Sequence, residues 1–155
     1  MSDPSSAEAA AIRECAIRLL ARREHSRLEL HRKLEGRGFP AAGIPSVLDS
    51  LIAENLLSDQ RFAEMFARTR SDNGQGPLKI RAELQARGVD GATIDQGLEL
   101  VDDTWLDHCR AAWRRRFGML PADRRERARQ TRFLAARGFD AGTIRRVLDE
   151  SDDEP

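Results

Sequence analysis

The chain has 155 residues, with 26 basic and 26 acidic side chains, and hydrophobic residues make up 40% of it. This composition excludes a long disordered chain, which would be poorer in Leu, Ile and Phe, and no run approaches the roughly 20 apolar residues of a membrane helix. We therefore expect one folded protein with no membrane contact. The first residues show no export signal, so we expect the protein in the cytoplasm. Cys15 and Cys109 are isolated in the sequence, so we expect both thiols to be reduced.

Residues 1–9 are predicted to be a flexible N-terminus, and residues 10–55 a first unit of three helices. Its first helix carries apolar residues from Ile12 to Leu20. Its second starts with Ser26 and Glu29, a pair typical of a capping box. Its third has apolar residues at helical spacing, which predicts one buried stripe: Ile44, Val47, Leu48 and Leu51.

The second helix of this unit is predicted to end in a Schellman turn within the stretch LEGRGF. If Gly38 takes the left-handed conformation after the helix, Leu34 and Phe39 occupy the two positions whose side chains meet in that motif. Arg37 would then place a cation at the negative end of the helix dipole. The glycine is therefore expected to have a positive φ.

The same pattern returns twice, each time fifty positions later. The second copy contains Leu84, Gly88 and Val89, and the third contains Leu134, Gly138 and Phe139. Arg87 and Arg137 again precede the glycines. A constant period of this length is the signature of a repeat architecture.

The remaining chain divides into a second unit, residues 56–102, a third unit, residues 103–150, and an acidic tail, residues 151–155. Each unit again predicts three helices, with Pro77 at a first helical position and with Asp90 and Asp140 as N-caps. The third unit has the weaker pattern because Gln130 replaces the apolar residue found at Leu30 and Ile80.

The sequence therefore predicts an all-α fold. Three tandem three-helix repeats would stack into an elongated, curved array of either hand, since one copy alone leaves apolar surface uncovered. We expect the array to be a monomer.

No catalytic constellation is present, and we expect neither an enzyme nor a cofactor. GRGF and NGQG lack the Lys and the Ser or Thr of a phosphate-binding loop. Cys15, His25 and His31 have no metal-site spacing. His108 and Cys109 are adjacent, so on a helix they point about 100° apart and cannot form a nucleophile and its base.

The zero net charge conceals a strong segregation. Residues 41–103 carry a net charge of −5, whereas residues 104–148 carry twelve basic and four acidic groups, a net charge of +8. Such a basic region is either a solvated helix surface or a surface that meets polyanions or an acidic protein face. The candidate contact residues are Arg81, Arg114, Arg115, Arg124, Arg125 and Arg129.

The block from Leu56 to Val89, LLSDQRFAEMFARTRSDNGQGPLKIRAELQARGV, resembles the signature of the RecX regulatory family. An acidic residue precedes Arg-Phe-Ala, followed by a short helix, a Gly-Pro-x-x-Ile turn, and a Leu with a basic-Gly pair. The first block, ARREHSRLELHRKLEGRGF, resembles the opening repeat of that family. The resemblance spans roughly residues 10 to 150. The chain departs from it in its Arg-rich third repeat and in Val89, where Ile is commoner.

The resemblance implies a modulator of the RecA recombinase. Members of the family lie in the groove of the RecA–DNA filament and inhibit ATP hydrolysis, strand exchange and the co-protease activity that triggers the SOS response. Some also bind DNA weakly. Two alternatives stay open: a helix-turn-helix DNA-binding regulator, although PAAGIP, DGATID and DAGTIR are poor in base-contacting groups, and a generic helical-repeat adaptor.

Overall fold

The computed structural model describes residues 4–101 and 104–150, and these residues form nine α-helices and no strand. Three consecutive helices make up each repeat, which confirms the predicted all-α fold of three tandem three-helix units. In chain order they are α1 Pro4–Arg22, α2 Arg27–Gly36, α3 Ile44–Ala53, α4 Asp59–Asp72, α5 Pro77–Ala86, α6 Gly91–Glu99, α7 Trp105–Arg116, α8 Arg124–Ala136 and α9 Ala141–Glu150.

Most helices begin at a side chain that accepts a hydrogen bond from the backbone three residues later. This satisfies one of the N–H groups that have no partner within the helix. Pro77 instead opens α5 at its first position, where no backbone N–H is needed. The capping residues are Ser26, Ser58, Asp90, Thr104, Asp123 and Asp140.

The middle helix of every repeat ends in the predicted Schellman turn. Gly38, Gly88 and Gly138 have φ angles of 96°, 81° and 100°. In the first repeat the N–H of Phe39 donates to the carbonyl of Leu34 at 3.3 Å, and the N–H of Gly38 donates to that of Glu35 at 2.9 Å. The other two turns have the same pair of bonds, so one local device ends all three helices.

The structure differs from the sequence prediction near two unit boundaries. Helix α1 begins at Pro4, so residues 4–9, expected to be flexible, are helical; residues 1–3 lie outside the described residues. Leu57, assigned to the second unit, is 1% exposed and packs into the core of the first. The predicted boundary at 102/103 and the tail at 151–155 lie outside the described residues.

Each repeat has a hydrophobic core of its own. In all three, the first and third helices pack against each other and the middle helix contributes one or two leucine or isoleucine side chains. In the second repeat these two helices pack closely, since a Cβ at Gly97 would lie 3.1 Å from the carbonyl carbon of Ala63. The third core has a polar member: Gln130 accepts a 2.8 Å bond from the indole N–H of Trp113 and donates to the carbonyl of Met119 at 3.0 Å.

Neighbouring repeats meet where the start of one middle helix touches the end of the next. At the first joint, the hydroxyl of Ser26 donates to the carbonyl of Arg87 at 2.7 Å. At the second joint, the N–H of Gly76 donates to the carbonyl of Arg137 at 2.7 Å. The donors are fifty positions apart, and so are the acceptors, so the two joints are equivalent.

Close backbone packing accompanies these bonds. A Cβ at Gly88 would lie 2.8 Å from the Cβ of Leu28, and one at Gly138 would lie 2.5 Å from the Cβ of Lys79. The repeats therefore form a row joined by helix ends. The sequence predicted broad apolar contact between copies, whereas the three cores are separate, with Trp105 as a side chain that packs against both the second and the third.

Candidate polyanion-binding surface

The arginines of the third repeat concentrate at two consecutive helix ends. Arg114 and Arg115 lie on the last turn of α7, and Arg124 and Arg125 form the first turn of α8; all four are exposed. We call these four residues the arginine cluster. None of them forms an ion pair with another residue that the structure describes, so their charge is available to a ligand.

The two arginines at the start of α8 do not stabilise their own helix. The N-terminus of a helix carries partial positive charge, which a cation in the first turn opposes. The carboxylate of Asp123 caps this end by accepting a 2.8 Å hydrogen bond from the N–H of Glu126. The negative charges of the Asp123 and Glu126 side chains offset part of the repulsion. A pair of unpaired cations at this place favours an external anion as the partner.

An aromatic pair supports further arginines beside the cluster. The rings of Phe117 and Phe133 meet edge to face, with centroids 5.3 Å apart. Arg116 lies over both rings, Arg129 lies 5.3 Å from the centroid of Phe117, and Arg137 lies 5.1 Å from that of Phe133. Such stacking holds a guanidinium in place while its N–H groups stay directed outward.

A cleft at the second joint connects the cluster with this aromatic pair. Its walls come from the α4–α5 loop on one side and from α7 and α8 on the other, and its lining residues are Asn73, Gly74, Ala112, Arg115, Arg116, Phe133 and Arg137. The cleft therefore has a basic wall and an aromatic floor.

The first joint has a cleft at the equivalent place with a different lining. Phe62, Met65 and Phe66 stand fifty positions before Ala112, Arg115 and Arg116. The guanidinium groups of Arg70 and Arg87 both lie over the ring of Phe66, 4.6 and 4.8 Å from its centroid. At these three positions the lining is apolar in the first joint and includes two arginines in the second, while the rest of the first cleft contains Arg23, Arg70, Arg87 and Glu29.

Two of the sequence-predicted contact residues lie in other surroundings. Arg81 is in the second repeat and pairs with Asp95 on α6. Arg129 pairs with Glu126 at 3.3 Å as well as stacking on Phe117. Arg116 and Arg137 were not among the predicted contact residues. In the fifty-residue period Arg116 is equivalent to Phe66, and Arg137 is equivalent to Arg87.

The cysteine of α7, Cys109, is fully buried. Burial raises the pKa of the Cys109 thiol to about 12, so it stays protonated and unreactive at neutral pH. Among residues 4–101 and 104–150, no group of three His, Cys, Asp or Glu side chains is placed to hold a metal ion. No helix in this part of the chain is long and apolar enough to cross a membrane.

Family models match all three repeats. Residues 13–51 match the first three-helix domain of RecX, residues 58–98 match the second, and residues 102–148 match the third. These ranges follow the three helical units of the structure.

Related chains cover almost the whole length. The chain is 48% identical over 145 residues to a protein of Halorhodospira halophila named regulatory protein RecX, covering 93% of this chain and 90% of the relative. It is 50% identical over 143 residues to a protein of the same name from Pseudomonas putida, covering 92% of each. The crystal structure of RecX from Lactobacillus salivarius superposes with a TM-score of 0.80 at 21% identity, over 95% of this chain and 98% of that one.

Proposed function

Since the chain belongs to the RecX family of regulatory proteins, we propose that it binds the RecA–DNA filament and restrains it. In this proposal it lies in the filament groove across adjacent RecA subunits and slows ATP hydrolysis, strand exchange and co-protease activity. It acts by binding, without catalysis of its own, in the cytoplasm and as a monomer. The observation that carries the proposal is that family models match all three repeats in order.

The row of repeats suits a partner that is itself a polymer. A helix of twelve residues is about 18 Å long, so three units joined by their helix ends present a body that spans more than one subunit of a filament. Once one repeat is bound, the others are held near their own sites. Several modest contacts then combine through their effective concentration.

The uneven charge of the chain gives this body an orientation. The arginine cluster and the arginines that line the cleft at the second joint belong to the third repeat, whereas the second repeat is acidic overall. Guanidinium groups make paired hydrogen bonds to carboxylates or phosphates, both of which a protein–DNA groove offers. A duplex lying along the whole chain would meet repulsion from the second repeat, so we assign DNA a minor role.

A body that contacts two adjacent subunits stabilises their present arrangement. If a step of ATP turnover requires those subunits to move relative to each other, the movement breaks contacts with the bound protein. That step then becomes less favourable by the binding energy of the contacts that are lost. Inhibition therefore needs no contact with the nucleotide, and one bound molecule affects more than one subunit.

ATP turnover by preassembled RecA filaments tests this proposal. We expect the pure protein to slow turnover when present in fewer copies than RecA, because each molecule restrains several subunits. Unchanged ATP turnover and unchanged strand exchange at equimolar protein would contradict it.

The contact surface is tested by charge reversal. The variant with Arg114, Arg115, Arg124 and Arg125 all changed to Glu should keep its fold and lose filament affinity. For a matched control, we compare Arg114→Glu/Arg115→Glu with Arg22→Glu/Arg68→Glu, which reverses two exposed arginines on the first and second repeats. Equal affinities for the two double variants would place the contact surface elsewhere.

A further inference from the structure

Helix α9 ends beside the arginine cluster. It packs against both α7 and α8, and its last turn is joined to the start of α8, where Nη2 of Arg127 lies 2.8 Å from Oδ1 of Asp149. Arg124 and Arg125 are within one helical turn of Arg127. The chain therefore leaves α9 next to two exposed cations that have no ion-pair partner among the described residues.

The first repeat shows where the chain runs after the third helix of a repeat. Its third helix, α3, is joined to the start of α2 by the equivalent ion pair, with Nη1 of Arg27 2.6 Å from Oδ1 of Asp49. Glu54 comes directly after α3, and both of its carboxylate oxygens accept hydrogen bonds from Arg13 on α1, at 2.6 and 2.9 Å. The chain that follows the third helix thus binds the first helix of its own repeat through a carboxylate.

The acidic tail, residues 151–155, has the charge and the length for a similar path in the third repeat. It contains Asp152, Asp153 and Glu154 and no basic residue, and Glu154 stands one hundred positions after Glu54. Five residues span at most about 17 Å. The start of α8 is within that distance, because Asp149, which contacts it, precedes the tail by only two positions.

We propose that the acidic tail docks on the arginine cluster of its own chain and that a polyanionic partner must displace it. Guanidinium groups bind carboxylates and phosphates through the same N–H groups, so the tail and an external anion compete for them. Exposed ion pairs are individually weak, but the short tether keeps the tail at a high effective concentration. The tail therefore lowers the apparent affinity of the cluster without blocking it permanently.

This competition selects for partners with many charges. A small anion makes no more contacts with the cluster than the tail does, whereas a surface that presents many phosphates or carboxylates makes more of them and releases more counterions. Resting on the function proposed above, the partner that displaces the tail is the RecA–DNA filament. The tail would thus reserve the cluster for an assembled filament.

The tail of the same chain has an advantage over the tail of a second copy. A short tether gives an effective concentration that is roughly millimolar, so the tail of another molecule would compete only at protein concentrations of that order. In a binding assay at micromolar protein or below, docking within one chain is therefore expected.

The test compares two variants that lose the same number of negative charges. The tail variant neutralises the three acids of the tail: Asp152→Asn, Asp153→Asn and Glu154→Gln. The control variant neutralises three exposed glutamates of the first and second repeats: Glu14→Gln, Glu35→Gln and Glu99→Gln. Both sets of changes are also made in the variant that carries Glu at all four positions of the arginine cluster, and circular dichroism checks the fold of each protein.

Affinity is measured at low salt for two ligands: inorganic polyphosphate, which probes the cluster without RecA, and RecA–DNA filaments. We expect the tail variant to bind each ligand about five- to tenfold more tightly than the wild type. The control variant should match the wild type, and the gain should disappear when the cluster carries Glu.

Equal affinities of the tail and control variants for polyphosphate would overturn the docked tail, and so would an equal gain in the variant whose cluster carries Glu. Either result leaves the proposed function intact if the wild type binds the filament. A gain for polyphosphate without any binding to the filament would support the docked tail and contradict the proposed function. Self-association of the wild type that the tail variant abolishes would place the tail on a second copy and contradict docking within one chain.

Discussion

Ser26, at the start of α2, donates its hydroxyl hydrogen to the carbonyl of Arg87, sixty-one positions later at the end of α5. The same hydroxyl oxygen accepts from the N–H of Glu29 at 3.0 Å, so one side chain both caps its own helix and ties two repeats together. Gly76 and Arg137 repeat the connection through the backbone alone. The position of each repeat therefore depends on contacts between helix ends. Substitutions at those ends should show how much the turn conformation and the packing between repeats each contribute to stability.

Alanine at the three turn glycines should destabilise the fold by different amounts. Gly38→Ala should cost about 1 kcal/mol, because only the left-handed conformation is penalised there. Gly138→Ala should cost about 2–4 kcal/mol, because its Cβ would also lie 2.6 Å from the backbone nitrogen of Lys79. Gly88→Ala should fall between them, since its obstacle is the side chain of Leu28, which can shift. Urea unfolding measures all three, and equal costs would contradict the assigned joints.

The buried amide of the third repeat should resist replacement by an apolar residue. Gln130 is 2% exposed, and Gln130→Leu would introduce the kind of residue found at Leu30 and Ile80. It should nevertheless cost about 1–3 kcal/mol, because the indole N–H of Trp113 and the carbonyl of Met119 would lose their partner. Trp113→Phe removes the indole donor, so Gln130→Leu should cost less in a Trp113→Phe background. If urea unfolding shows that the costs of the two substitutions simply add in the double variant, the hydrogen bond between Trp113 and Gln130 does not contribute to stability.

Sequence patterns anticipated the local structure well. The Schellman turns follow from three residue types at fixed offsets, and Asp90 and Asp140 cap the helices that they precede, because capping involves neighbours in sequence. The helix over residues 4–9 was missed for lack of an apolar stripe, although AEAA is rich in strong helix formers.

Relations between repeats were harder to predict. The pairing of Ser26 with Arg87 depends on how two units are oriented, which no local pattern specifies. The bond from Trp113 to Gln130 had a detectable signal, because a core position held an amide while an indole donor lay in the preceding helix. The arginine cluster was found by composition alone. The stacked arginines beside the cluster, Arg116 and Arg137, are recognised only from their tertiary contact with Phe133.

Acid should weaken the fold through His25. This side chain is 1% exposed, and burial lowers its pKa below the usual value, with nearby Arg23 and Lys33 adding to the effect. Its Nδ1 lies 3.0 Å from the carbonyl of Arg23, and its Nε2 lies 2.9 Å from the Lys33 ammonium. The neutral ring therefore donates to the carbonyl and accepts from Lys33, and a protonated ring would face a second cation.

The direction of the pH dependence follows from this arrangement. The unfolded chain takes up the His25 proton at a higher pH than the folded protein, so stability falls as pH drops below about 6.5. Glu29 also faces His25. Its pKa is lowered, because the hydrogen bond and the charge of Arg23 outweigh the effect of burial, so its protonation weakens the fold only at lower pH. His25→Asn should flatten the dependence of the free energy of unfolding, measured in urea, on pH between pH 7 and pH 5. An unchanged slope in His25→Asn would refute the assignment.

Salt should weaken filament binding through the arginine cluster. Exposed charges are screened over a Debye length of about 8 Å at physiological ionic strength, and this distance shrinks as salt is added. The wild type should therefore lose affinity between low and high salt more steeply than the variant with Glu at Arg114, Arg115, Arg124 and Arg125. Parallel salt dependences in a fluorescence anisotropy titration would indicate that the cluster stays in solvent.

The decisive comparison is the binding of one labelled sample to RecA–DNA filaments, to free RecA and to bare DNA of the same length under identical salt. A row of three units that collects contacts from adjacent subunits should bind the filament more tightly than either component. Equal or tighter binding to bare DNA would instead support a DNA-binding regulator. No preference among the three would leave a helical-repeat adaptor with another partner.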